Sequence, residues 1–98
     1  MIKRRSVKGK NQVKISFVLP EDHPHLPGYV VGDFNDWDPD AHPFKPRRNN
    51  TYSAVVTLEK DRRYRFRYRS EDGAWFNEED ADAYEPSDFS SENCIILT

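Results

Sequence analysis

Apolar and polar residues alternate with a period of two along most of the chain. In residues 12–19, QVKISFVL, every second side chain from Val13 onward is apolar, and residues 51–58, TYSAVVTL, repeat the pattern. The clearest case is residues 62–70, RRYRFRYRS, in which aromatic residues alternate with arginine. A helix would distribute these arginines around its circumference, whereas a strand collects them on one side. The alternation therefore predicts strands that turn one face toward a core.

Turn-forming residues separate the alternating runs, for example in DWDPDAHP, PRRNN and EDG, and the chain ends on a further short strand, NCIILT. This pattern predicts an all-β fold, an immunoglobulin-like antiparallel β-sandwich of about seven strands in a single domain. Arg65 and Arg67 are expected to point away from the core. Phe34 is expected in the core and Trp37 on the surface, because the loop must be anchored before it can present a ring. The side chains expected to be largely buried are Val13, Ile15, Phe17, Tyr52, Val56, Leu58, Phe66 and Ile96.

Two segments depart from this regular pattern. Residues 1–10, MIKRRSVKGK, are basic and predict a flexible or loosely paired N-terminal arm, which leaves residues 11–98 for the sandwich. Residues 77–92, NEEDADAYEPSDFSSE, are too long and too acidic for a tight turn. They predict either an ordered functional loop or a mobile one.

Composition narrows the class of protein. The chain has 98 residues, of which 36% are hydrophobic and 33% charged, with a formal net charge of −2. Such a chain suits one thin core and leaves little room for a deep catalytic cleft. Its charge argues against nucleic acid or an anionic membrane as the main partner. With a single cysteine, Cys94, and neither a secretory signal nor a membrane-spanning segment, the sequence predicts a reduced, cytoplasmic protein.

The two tryptophans are the main functional candidates. Trp37 lies in the polar stretch GYVVGDFNDWDP, and Trp75 follows the turn EDG at another strand end. A loop tryptophan can fold back to cap the core, but two tryptophans on turns that flank sheet strands can also form a flat aromatic platform. Such a platform suits sugar rings, whose axial C–H groups present a weakly positive apolar face to the negative π-cloud. By analogy with the stacking of nucleobases, each ring would contribute about 1–3 kcal/mol. Arg65, on the polar face of its strand, would donate hydrogen bonds to sugar hydroxyls.

Other sites are weaker candidates. The acids of DFNDWDPD lack the mid-loop glycine and the final bidentate carboxylate of a calcium loop, so they are interpreted as turn formers. His23 and His25 lack a third zinc ligand. The arginine row of residues 63–69 suits nucleic acid less well than a solvated face balanced by the acidic residues 78–82. Paired carboxylates could hydrolyse glycosides, but no groove deep enough to exclude water and distort a sugar is expected. We therefore expect neither a metal nor a cofactor.

Three stretches, VVGDFNDWDP, YRFRYRSEDGAW and ENCIIL, resemble the glycogen-binding module of the AMP-activated protein kinase beta subunit and of the N-termini of isoamylases and branching enzymes. That family reads Gly-x-Phe-Asn-x-Trp, then Tyr-x-Phe, then Asp-Gly-x-Trp, and finally an asparagine at the start of the last strand. The resemblance covers residues 13–98, with the motifs in order.

The resemblance implies a set of carbohydrate-binding residues, namely Trp37, Arg65, Trp75, Phe89 and Asn93. Trp37, Trp75 and Asn93 match the family directly. Arg65 stands where the family often has lysine, and Phe89 where it has a leucine that shapes the edge of the site. Arg63 replaces the family glycine before the Tyr-x-Phe motif.

The resemblance also implies the activity, which is non-catalytic binding of an α-1,4-linked glucan such as glycogen or starch. The expected partners are such a polysaccharide or oligosaccharide and a glucan-active enzyme, with neither nucleic acid nor membrane. The alternative is a protein-interaction module on the same fold that has lost the sugar. Retention by glycogen embedded in a native gel distinguishes the two.

Overall fold

The computed structural model describes residues 1–24, 26–86 and 92–98 as two antiparallel sheets packed face to face. The first sheet has the order β1-β2-β5-β4, and the second β3-β6-β9-β8, with β7 also paired to β6. The strands are β1 Ile2–Ser6, β2 Gln12–Pro20, β3 Gly28–Gly32, β4 Lys45–Pro46, β5 Thr51–Glu59, β6 Arg63–Ser70, β7 Trp75–Phe76, β8 Ala83–Pro86 and β9 Glu92–Leu97. One 3₁₀ turn, Asp33–Asn35, follows β3.

The predicted all-β antiparallel sandwich is confirmed. The described residues form nine strands where about seven were expected, because β4 and β7 are two-residue strands too short to show any periodicity. Each completes a sheet next to a long strand: β4 pairs with β5, and β7 with β6. The second of these pairings matters for the site, since it places Trp75 directly opposite Arg69.

The first ten residues contribute a paired strand. Ile2–Ser6 forms five consecutive antiparallel pairs with β2, from Ile2 opposite Phe17 to Ser6 opposite Val13. Of these residues only Ile2 packs against the core, so the sequence IKRRS carries no alternation that could have predicted the pairing. The edge strand is held by backbone hydrogen bonds and by Arg4, whose guanidinium donates to Asp82 at 2.6 Å.

Both sheets contribute to one aromatic-rich core. Phe17 of the first sheet lies 5.0 Å from Phe66 and 6.0 Å from Tyr68 of the second sheet, measured between ring centroids. Seven of the eight side chains expected inside are buried, and Tyr52 is half-buried against the cluster. Arg65 is exposed, as predicted, and Arg67, also on the outer face, is half-buried.

The acidic segment reaches into this core. Glu78 is only 3% exposed; it accepts a hydrogen bond from the Tyr68 hydroxyl at 3.0 Å and pairs with the terminal ammonium of Met1 at 2.8 Å. Burial raises the pKa of Tyr68, and the charge of Glu78 raises it further. The expectation that residues 78–82 balance the arginine row is wrong at Glu78, because its carboxylate faces inward. Arg63 and Arg65 pair instead with Glu85 and Asp33.

Candidate functional site

The outer face of the second sheet carries the arginine row over an apolar floor. Arg65 and Arg67 alternate with the buried Phe66 and Tyr68 along β6. Val31 lies opposite Arg67, and Ile95 opposite Arg65. Along their strands Val31 and Ile95 are next to core residues, so their own side chains point to the outer face. They are nevertheless only 1% and 0% exposed. Long arginine side chains can bury their methylene stems on such apolar surface while the charged group stays in water.

Trp37 lies at one end of this face in a turn with an uncommon backbone conformation. Asp36 and Trp37 have positive φ angles of 54° and 58°. The turn is closed by hydrogen bonds from the Trp37 N–H to the Gly32 carbonyl and from the Asp38 N–H to the Asn35 carbonyl, both 3.0 Å. Positive φ is unusual for a large side chain, and strain of this kind often accompanies functional positions.

The strain at Trp37 gives a test of the turn. Trp37→Gly should be more stable than Trp37→Ala by about 1 kcal/mol, because glycine adopts positive φ without a steric cost. At most other positions in a folded chain, a glycine variant is less stable than the alanine variant. Urea unfolding of both variants measures the difference in their free energies of unfolding. A more stable alanine variant would contradict the positive φ angle of Trp37.

Asp33 ties the Trp37 turn to β6. Its carboxylate accepts hydrogen bonds from the Arg65 N–H at 2.9 Å, from the Arg65 Nε at 3.1 Å and from the Trp37 indole at 3.3 Å. Burial alone would raise the pKa of Asp33, but the hydrogen bonds and charge of Arg65, with the indole, outweigh it and lower the pKa. One ionised carboxylate therefore positions both Trp37 and Arg65.

Gly32 allows this contact by its small size. A Cβ atom at Gly32 would lie 2.5 Å from the Arg65 carbonyl oxygen and 2.9 Å from the Phe66 Cβ. The end of β3 therefore approaches β6 more closely than any other residue would permit. This is the physical reason for glycine directly before Asp33 in the sequence VVGDFNDW.

Phe34 and the Asn35–His42 pair anchor the turn from beneath. The Phe34 ring packs against the core, 6.2 Å from that of Phe17, as expected. Phe34 and Trp37 are both half-buried, so the predicted contrast between a core Phe34 and a surface Trp37 is weaker than expected. Asn35 accepts a hydrogen bond from the Gly32 N–H at 3.0 Å, and its amide nitrogen lies 2.8 Å from His42 Nδ1.

This pair makes stability depend on pH. The Asn35 amide donates to His42 Nδ1, so the neutral imidazole is the form that fits, and burial lowers the pKa of His42 below 6.5. Protonation then favours the unfolded chain, and stability should fall as the pH drops below about 6.5. His42→Gln can still accept the hydrogen bond but does not titrate. We expect the wild type to lose more stability than His42→Gln between about pH 7.5 and 5.5; parallel curves would contradict this.

Trp75 lies toward the other end of the arginine row. Its side chain is 44% exposed, and the guanidinium carbons of Arg67 and Arg69 lie 5.0 and 4.8 Å from its ring centroid. Arg67 Nε also donates to the Asn77 amide oxygen at 3.2 Å, and the Asn77 amide donates to the Glu92 carbonyl at 3.0 Å. Cation–π contacts of this kind orient an indole while a large part of the ring remains in solvent.

The four described candidates, Trp37, Arg65, Trp75 and Asn93, occupy one face, but they do not all adjoin each other. Arg65 and Arg69, next to the two tryptophans, are four residues apart on β6, or about 13 Å along the strand. Asn93 is half-buried on β9 opposite Glu85, on the side away from the core. Phe89 lies outside the described residues.

Sequence reasoning missed four contributors to this face: Asp33, Arg67, Arg69 and Asn77. Asp33 was interpreted only as a turn former, an interpretation that suits Asp38, which accepts from the Asp40 N–H at 2.9 Å. The sequence feature that could have identified Asp33 is its position directly after Gly32, the glycine that ends a strand. Arg67 and Arg69 could have been identified by their period-two spacing from Arg65, which places all three on one face.

Of the two histidines considered as zinc ligands, His25 lies outside the described residues. The described residues contain no group of three or more histidine, cysteine or acidic side chains placed to hold a metal ion. Within the same ranges no helix is long and apolar enough to cross a membrane. Cys94 is buried, and this raises the pKa of its thiol to about 11, so the thiolate is scarce at neutral pH.

The sequence also matches a known family. The family model for carbohydrate-binding module 48 (isoamylase N-terminal domain) matches residues 29–85, more than half of the chain. The chain belongs to this family. A search of curated proteins finds no match to this carbohydrate-binding module. The matched range includes the Trp37 turn, β6 and Trp75, whereas Phe89 and Asn93 lie beyond it. Membership implies a carbohydrate partner.

Proposed function

We propose that this module binds an α-1,4-linked glucan, of the glycogen or starch type, on the outer face of its second sheet. The observation that carries the proposal is the exposed Trp75 ring on the same face as the strained Trp37. The two rings adjoin Arg65 and Arg69, which are about 13 Å apart along β6, and such a separation suits a chain of sugars better than a monosaccharide. The module binds without doing chemistry, and we place it in the cytoplasm.

Each site residue has a definite role in this proposal. Trp37 and Trp75 stack on glucose rings, and Asn93 hydrogen-bonds to hydroxyl groups. Arg65 contributes less than a free arginine would, since its Nε and one terminal nitrogen already donate to Asp33. Phe89, carried over from the family motif, shapes the edge of the site. Arg67 and Arg69 keep the Trp75 ring in place.

The affinity of the module for an α-1,4-linked glucan should be modest. Two stacked rings contribute about 1–2 kcal/mol each by analogy with base stacking, and a few hydrogen bonds net about 1 kcal/mol each. After association costs, these terms correspond to a dissociation constant between roughly 10 μM and 1 mM. Titrating maltoheptaose and β-cyclodextrin while following tryptophan fluorescence measures it. Cellohexaose, a β-linked glucan, is the matched control ligand.

The alternative function is a protein-interaction module that has lost the sugar and recruits a glucan-active enzyme. It becomes the better account if the wild type neither responds to maltoheptaose nor is retarded in a native gel that contains glycogen. Equal responses to maltoheptaose and cellohexaose would contradict the α-1,4 specificity while leaving carbohydrate binding in place.

A further inference from the structure

The opposite face of the molecule carries a separate cluster of positive charge. On the outer face of the first sheet, Lys3 lies opposite Ser16, Arg5 opposite Lys14, and Lys45 opposite Ser53. Arg47 joins them, since its Nε donates to the Ser53 hydroxyl at 2.7 Å. We call this set the basic face; its members are Lys3, Arg5, Lys14, Lys45 and Arg47, and all five are exposed.

The basic face has almost no negative charge of its own. In the described part of the chain, no carboxylate lies within 4.0 Å of the charged nitrogens of these five residues. Glu59, opposite Gln12 at the end of β5, is the one acidic side chain that the described strands place on this face. The first acidic residue of the sequence is Glu21, after six lysines and arginines. The chain therefore concentrates positive charge here although its net charge is −2.

One pair on this face is unfavourable for the isolated module. Arg5 and Lys14 lie directly opposite each other on adjacent antiparallel strands. Like charges in that position repel and destabilise the sheet. Natural chains tend to keep such costs where a function requires them. The favourable counter-charge is thus expected to come from outside the chain.

We propose that the basic face docks a carboxylate-rich surface of another protein. Between its cations the face presents hydroxyl and aliphatic side chains, namely Ser16, Val18, Val55 and Thr57. A surface of this kind accepts a broad, negatively charged protein surface and gains from charge complementarity. The proposal is independent of glucan binding, which uses the other sheet.

Two other occupants fit less well. The described strands place no aromatic residue on this face, whereas single-stranded nucleic acid is normally held by aromatic stacking. A second copy of the chain offers no matching acidic face, because its described strands carry only three acidic residues, Glu59, Glu85 and Glu92, and Glu85 is already paired with Arg63. An acidic partner protein is therefore the occupant that the charges favour.

The test compares two triple variants with the same change in net charge. Lys3→Gln, Arg5→Gln and Lys14→Gln together remove the centre of the basic face. Arg48→Gln, Lys60→Gln and Arg62→Gln remove three cations from the turns at the ends of the sheets. The probe is a fluorescein-labelled oligoglutamate peptide at about 50 mM NaCl, where surface charges are weakly screened. Fluorescence anisotropy gives the affinity.

We expect the basic-face variant to bind the peptide about tenfold more weakly than the wild type, and the control variant less than about threefold more weakly. Maltoheptaose binding should be equal in all three proteins. The thermal midpoint of the Lys14→Gln single variant should rise, because one like-charge contact is removed. Equal losses in both triple variants, no peptide binding by the wild type, or tighter binding to duplex DNA or phosphatidylserine vesicles than to the peptide would overturn the proposal.

Discussion

Trp75→Ala is expected to weaken maltoheptaose binding about tenfold or more and to change the thermal midpoint only slightly. The ring is 44% exposed, so its removal leaves no cavity in the core. A loss of about 1–2 kcal/mol of stacking corresponds to roughly a tenfold change in the dissociation constant. Fluorescence of the remaining Trp37, or isothermal calorimetry, measures the affinity. Trp37→Ala should also weaken binding, but its half-buried ring makes an accompanying loss of stability unavoidable.

Tyr84→Ala is the matched control for Trp75→Ala. Tyr84 is 43% exposed, but it lies on β8 opposite the core residue Cys94 and outside the proposed site. Its loss should leave maltoheptaose affinity unchanged. Wild-type affinity should also depend little on salt, since the ligand is neutral, whereas nucleic-acid binding would fall steeply as salt rises. If Trp75→Ala and Tyr84→Ala bind maltoheptaose equally well, the tryptophan platform is not the binding surface.

Phe66→Ala should lower the free energy of unfolding by about 3–5 kcal/mol. The Phe66 side chain is fully buried, with ring centroids 5.0 Å from Phe17 and 5.7 Å from Tyr68, so its removal opens a cavity between the sheets. A loss of this size is a large share of the total stability of a small domain. Urea unfolding followed by tryptophan fluorescence provides the measurement.

The control for Phe66→Ala is an exposed position on the same strand. Arg63→Ala, at the exposed start of β6, should change stability by less than about 1 kcal/mol, because an exposed ion pair of the Arg63–Glu85 type contributes little. A cost below about 1 kcal/mol for Phe66→Ala would contradict the burial of this strand face. The comparison tests the register of β6, since a shift by one residue would exchange the roles of Phe66 and its arginine neighbours.

The architecture and the two candidate tryptophans could be predicted from the sequence alone. A period of two is a local property, so each long strand showed which of its side chains faces the core, and β2, β5 and β6 follow the prediction. The motif around Trp37 and Trp75 likewise indicated the family, because glycine, tryptophan and turn residues at fixed spacing can be compared directly. The identity of the two candidate platform residues came from the same motif.

Contacts between distant parts of the chain became visible only in the folded structure. No local pattern shows that the Asp33 carboxylate reaches Arg65, 32 residues later, or that Ile2–Ser6 pairs with β2. The inward direction of Glu78 was equally hidden, since a carboxylate in an acidic stretch normally stays in water. Periodicity fixes the face on which a side chain lies, but the partner strand and its register arise only when the whole chain packs.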